Sequence, residues 1–84
     1  MMANELVEQY YAAASEGITL HAFIQIILHD CHTREDRDAM LEFVDQVERI
    51  VLSNMITHGD DDNLEEAEEE FHAIRNWLMD ALPM

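Results

Sequence analysis

The side chains able to carry chemistry in this sequence are nineteen carboxylates, five histidines and one thiol. Their spacing argues for binding more than for catalysis. His29 and His32 stand one helical turn apart, a spacing that can chelate a metal. Glu69 and His72 form one Glu-x-x-His pair. A di-metal carboxylate bundle needs two such pairs and further inward-facing Glu residues, and Glu69 is expected to face solvent. We therefore expect neither a metal site nor any other cofactor. His21, His29 and His32 read instead as a solvated strip along one helix, where protonation near pH 6 can tune an interface. No Gly-rich phosphate loop, Cys-x-x-Cys or nucleophile elbow is present. The run Asp60-Asp61-Asp62-Asn63 lacks the Gly and the spaced terminal Glu of an EF-hand loop. Asp62-Asn63-Leu64 offers no hydroxyl where an acyl carrier protein has its attachment serine. No catalytic residue is expected, and the chain reads as something other than an enzyme.

The carboxylates are concentrated. Eight of the eleven residues from Asp60 to Glu70 are acidic. At about 100° per residue, Glu65, Glu66, Glu68, Glu69 and Glu70 fan across one side of a helix, opposite an apolar stripe. Five charges in six residues is about one per 1.8 Å of helix axis, against about one per 1.7 Å in duplex DNA. A blander reading is a solvated, over-capped helix start, because anions there favour the helix dipole. Against that, Glu65/Glu69 and Glu66/Glu70 are like-charge pairs one turn apart, with no basic residue before Arg75. The candidate partner-binding set is therefore Asp60, Asp61, Asp62, Glu65, Glu66, Glu69 and Glu70, with Trp77 at the edge of the stripe as an aromatic anchor. Trp77 sealing the edge of the fold is the alternative. Glu35, Asp36, Asp38, Glu42 and Asp45 make a secondary acidic patch.

The whole chain shares this bias. Its formal net charge is −15, with four Arg and no Lys. Such a field repels nucleic acid and anionic membranes, and it attracts and steers basic protein surfaces. Direct nucleic-acid and membrane partners are thus not expected. Cys31 is the only cysteine, which rules out an intrachain disulfide and fits a reducing compartment. No signal-peptide pattern opens the sequence, and the longest apolar run, Phe23 to Leu28, contains Gln25 and is too short to span a bilayer. A cytoplasmic protein is expected.

Eighty-four residues, with only two Gly and one Pro, point to one all-α domain. Four helices are predicted. The first covers Ala3 to Glu16, with Leu6, Val7, Tyr10, Ala13 and Ala14 inward and Gly17 as its stop. The second covers Leu20 to Cys31, capped by Thr19 and largely buried through Phe23, Ile24, Ile27, Leu28 and Cys31, with Ile26 extending the apolar side. The third covers Arg34 to Thr57, started by a Thr33/Asp36 capping box and stopped by Gly59. Its inner stripe is Met40, Phe43, Val44, Val47, Ile50, Val51 and Met55, flanked by Leu41, Leu52 and Ile56. The fourth covers Leu64 to Leu82, capped by Asp62 or Asn63, with Pro83 at its exit. Short connections predict a small antiparallel bundle. The Ser15–Thr19 turn also fits a helix-turn-helix, but the second helix carries almost no base-reading side chain.

Two stretches carry a family resemblance. Leu6-Val7-Glu8-Gln9-Tyr10-Tyr11 followed by Gly17-Ile18-Thr19-Leu20-His21-Ala22-Phe23 resembles the opening of immunity proteins of the colicin D type. Phe23-Ile24-Gln25-Ile26-Ile27 and Gly59-Asp60-Asp61-Asp62 resemble segments of the DNase-colicin immunity proteins. In size and acidity the chain also resembles phage anti-CRISPR proteins as a class. These resemblances imply a small acidic helical inhibitor that acts as a nucleic-acid mimic on a bacterial CRISPR effector subunit or nuclease. Two other readings stay open: a regulatory or adaptor bundle that forms a homodimer through the broad apolar arc of the third helix, and a metal-binding module using His29 and His32.

Overall fold

The two glycines end two helices by the same device. In a computed structural model, which describes residues 2–82, α1 spans Ala3–Ala14 and Gly17 sits at φ +94°. Ile18 N–H donates to the Ala13 carbonyl at 3.2 Å and Gly17 N–H to that of Ala14 at 3.0 Å, which is a Schellman closure. Ile18 and Ala13, the apolar positions flanking the motif, both pack on the core. Gly59, at φ +75°, closes α3 the same way, with Asp60 N–H on Met55 and Gly59 N–H on Ile56. Here the residue beyond the glycine is Asp60, so the apolar contact is missing.

Helix α2 spans Leu20–Leu28, with the Thr19 hydroxyl accepting from Ala22 N–H at 3.2 Å. It ends three residues before the expected Cys31, and the cause lies downstream. Asp36 Oδ2 accepts from the N–H groups of His32 and Thr33 at 3.2 and 3.4 Å. Those donors belong to the start of α3, so the backbone must leave α2 before reaching them. His29, Asp30 and Cys31 make the tighter i→i−3 bonds of a terminal turn, and Cys31 still reaches the core. Helix α3 spans Arg34–Thr57, the predicted bounds, behind a complete Thr33/Asp36 capping box.

Helix α4 spans Leu64–Ala81. The expected cap by Asp62 or Asn63 is not formed. A single 3-10 turn, Asp61–Asn63, precedes the helix, and Asn63 Nδ2 donates to Asp60 Oδ1 at 2.8 Å instead of Asn63 capping α4. The first turn of α4 carries Glu65 and Glu66, where the helix dipole favours carboxylates. Pro83, expected at the exit of the helix, lies outside the described residues.

All four helices contribute to one core. Ile24, Met40, Phe43, Val44, Val47 and Leu78 are fully buried. Tyr10 of α1, Phe23 of α2 and Phe43 of α3 form an aromatic triangle, with ring centroids 5.6–6.1 Å apart. Helix α3 is the spine. Its 24 residues span about 36 Å, close to the 40 Å long axis of the molecule. It carries α1 on one side and α4 on the other, while α2 folds back on α1. Helix α4 runs antiparallel to α3, since Arg75 meets Asp45 and Glu48 while Leu52, further along α3, shares a groove with Glu65 and Glu68.

Two apolar expectations fail, each for its own reason. Ile26 is 56% exposed because it lies about 100° round α2 from the buried Phe23, Ile24 and Ile27. Ile50, assigned to the inner stripe of α3, is 37% exposed. Buried positions on α3 end at Val47. Beyond it the stripe continues in sequence, but α1 and α2, at 12 and 9 residues, are too short to follow. Val51, Leu52 and Met55 are consequently only half-buried.

Candidate functional site

The α3–α4 seam organises the acidic side chains. Arg75 leaves α4 toward α3 and donates from Nε and Nη2 to Asp45 Oδ1, at 2.9 and 2.7 Å. Its Nη1 donates to Glu48 Oε2 at 3.3 Å, and its Nη2 also reaches Glu48 Oε1. The bonds to Glu48, then those to Asp45, hold the guanidinium still further into its charged form than usual, against the opposing effect of burial. One arginine thus neutralises two α3 carboxylates and clamps the two helices. No other ion pair occurs among the described residues.

Above this clamp an open groove of about 570 Å³ runs between α3 and α4. Leu52 forms an apolar part of its wall, Glu65, Glu68 and Glu69 rise from α4, and His72 lies between them and Arg75. Of the expected set, Glu65 and Glu69 come together here. Glu66 and Glu70 are exposed but do not line the groove. They lie about 100° round α4, on the side of Trp77. Asp60, Asp61 and Asp62 are exposed on the turn leading into α4. The acids therefore form two rows separated by the crest of α4, with a carboxylate turn at one end.

Trp77 is half-buried, and its ring stacks on His21 of α2 at 4.2 Å between centroids and 27° between planes. The indole seals the α2–α4 edge and leaves only part of its surface free. His21 is correspondingly taken out of the expected histidine strip; its Nε2 is also 3.4 Å from Gln25 Nε2. His29 and His32 are exposed. Among the described residues, no three His, Cys, Asp or Glu side chains converge as metal ligands would.

The secondary patch is smaller than its sequence suggested. Asp45 is bound to Arg75, and Asp36 is held in the capping box. The His32 N–H first, then the Thr33 hydroxyl and N–H, keep the Asp36 carboxyl below the usual carboxylate range. Glu35, Asp38 and Glu42 remain along one face of α3 and flank a shallow groove beside Met2 and Ala3. Cys31 is buried, and burial, followed by Asp36 and Asp30, pushes its thiol up, away from the reactive thiolate.

Glu48, Glu68 and His72 were not singled out as site residues from sequence. Glu68 and His72 were legible, since helical spacing puts Glu68 three residues beyond Glu65 and His72 four beyond Glu68, all on one face. Glu48 was not, because its role depends on Arg75, 27 residues away. No helix of the described residues is long and apolar enough to cross a membrane. No family model matches the chain, and neither a curated protein nor a solved structure does.

Proposed function

We propose that this chain is a non-enzymatic inhibitor whose acidic surface occupies a Lys/Arg-rich nucleic-acid-binding site on a bacterial CRISPR effector subunit or nuclease, in the manner of anti-CRISPR or immunity-type proteins. The observation that carries the reading is the commitment of Arg75. It is the only Arg or Lys of α4, and it is bound to Asp45 and Glu48 of α3. Glu65, Glu66, Glu68, Glu69 and Glu70 are left exposed and without a cation among the described residues. Each like-charge pair one turn apart costs the helix about 0.2–0.5 kcal/mol. A row of Lys and Arg side chains removes that repulsion, and a channel built for phosphates presents such a row.

The binding site comprises Asp60, Asp61, Asp62, Glu65, Glu66, Glu69 and Glu70, joined by Glu68, with the free part of Trp77 beside the Glu66/Glu70 row. Glu35, Asp38 and Glu42 extend the acidic field along α3. The site of action is the cytoplasm of the bacterial or phage-infected cell. The test is capture from bacterial lysate by wild type and by a Glu65/Glu66/Glu69/Glu70→Gln variant, at low and high salt. The reading expects a nuclease or CRISPR subunit held by wild type alone and released by salt. Equal capture of the same partner by both proteins removes the acidic row from the mechanism.

A further inference from the structure

We infer that His21 is a proton-sensitive latch on Trp77, its charged imidazole tightening the stack on the indole and fixing α2 against α4. The two rings lie 4.2 Å apart between centroids and 27° between planes. That is inside the distance at which a cation is drawn to an indole face. Both helices are anchored close to the stack, α2 through Phe23 and Ile24, α4 through Ile74 and Leu78. Among the described residues no hydrogen bond or ion pair joins α2 to α4. Outside the core, this stack is the contact between them that a change of charge can strengthen.

The surroundings of His21 accommodate both charge states. Imidazole is the side chain whose charge ordinarily changes between about pH 5 and 8. His21 is exposed, and its Nε2 lies 3.4 Å from Nε2 of Gln25, which is exposed too. A neutral ring accepts there from the Gln25 amide. A protonated ring donates, and Gln25 can meet it by turning its amide oxygen inward. No carboxylate competes with the indole for the new charge. On α2 no acid occurs from Gly17 to His29. Glu16, on the turn after α1, and Glu66, Glu70 and Asp80 of α4 all stand beyond ion-pair distance of His21. From α3, the carboxylates at this level, Asp45 and Glu48, are bound to Arg75. The indole face is thus the partner left for the cation. A tighter stack also holds the ring that stands beside the Glu66/Glu70 row, so the latch regulates the proposed binding site. That consequence rests on the inhibitor reading, whereas the latch itself is a property of the free chain.

The test is the emission of Trp77, the only tryptophan of the chain, followed in the free full-length protein from about pH 8 to about 5.5. Wild type should lose emission as the pH falls, because a protonated imidazole in contact with an indole quenches it. Acrylamide should reach the ring less readily at the acid end, where the stack is tighter. His21→Gln, at an exposed position, should keep the helical spectrum and lose both effects, although the other four of the five histidines remain. His21→Phe, which stacks without a charge, should exclude acrylamide equally at both ends of the range. Flat emission in wild type overturns the inference. So does the same pH dependence in His21→Gln, or acrylamide access to wild type that does not fall in acid. No partner enters these measurements, so they decide the latch whether the inhibitor reading stands or fails, and lysate capture decides that reading separately.

Discussion

Arg75 of α4 and Asp45 of α3, thirty residues apart in sequence, are joined through Nε and Nη2 on a single carboxylate oxygen, at 2.9 and 2.7 Å. With Glu48 on the same guanidinium, the pair forms a network and not an isolated surface contact. Such networks contribute more than single exposed pairs, whose median effect is near zero to about 1 kcal/mol. Arg75→Met should cost about 1–2 kcal/mol, because it also leaves two carboxylates facing one another. In an Asp45→Asn/Glu48→Gln background the same substitution should cost much less. Thermal melts of the four proteins measure that coupling, and additive effects would mean that Arg75 acts through packing alone.

The capping box of α3 predicts a pH effect with a definite sign. The folded state holds the Asp36 carboxyl below its usual range. A depressed value means stability that is fully present above the unfolded carboxyl pKa and lost as pH falls through the folded one. Relief of repulsion among the other acids acts in the opposite direction and is common to variants. The difference in melting temperature between wild type and Asp36→Asn should therefore be constant from pH 7 to about 5 and shrink below about 4. A difference that grows toward acid would contradict the capping role. Thr33→Ala, which removes the hydroxyl cap, should cost about 0.5–2 kcal/mol.

Gly17 and Gly59 make a backbone prediction free of packing. A Cβ at either position meets nothing within 4 Å, yet both residues have positive φ. Ala at either site should destabilise by about 1–2 kcal/mol through backbone strain alone, with Asn milder than Ala. Equal melting temperatures for Gly59→Ala and wild type would mean that the turn after α3 is not held in its left-handed form.

Core and surface apolar residues should separate cleanly. Phe43 is fully buried in the aromatic triangle, and Phe43→Ala should cost about 3–5 kcal/mol, enough to unfold a domain of this size in part. Ile26 and Ile56, more than half exposed, should tolerate Ala within about 0.5 kcal/mol. Urea unfolding distinguishes the two classes directly.

These residues also show how far the sequence is legible. Helix α3 was readable to the residue because Thr33, Asp36 and Gly59 each carry a local signal at its ends. The end of α2 was not, because Asp36, in the next helix, draws the backbone of His32 and Thr33 away. Periodicity marked Ile50 as apolar and inward, but it cannot report that α1 stops short of it. The acidic face was legible as a helical fan. Its division into a Glu65/Glu68/Glu69 groove and a Glu66/Glu70 row needed the position of α3, and the withdrawal of Asp45 from the secondary patch needed Arg75.

The most direct test of the inhibitor account is competition for the site. A captured effector or nuclease subunit is loaded with labelled nucleic acid and titrated with wild type and with the Glu65/Glu66/Glu69/Glu70→Gln variant. Stoichiometric displacement by wild type, weakened by salt and lost in the variant, is the predicted result. A ternary complex in which the subunit holds nucleic acid and this chain together would contradict it.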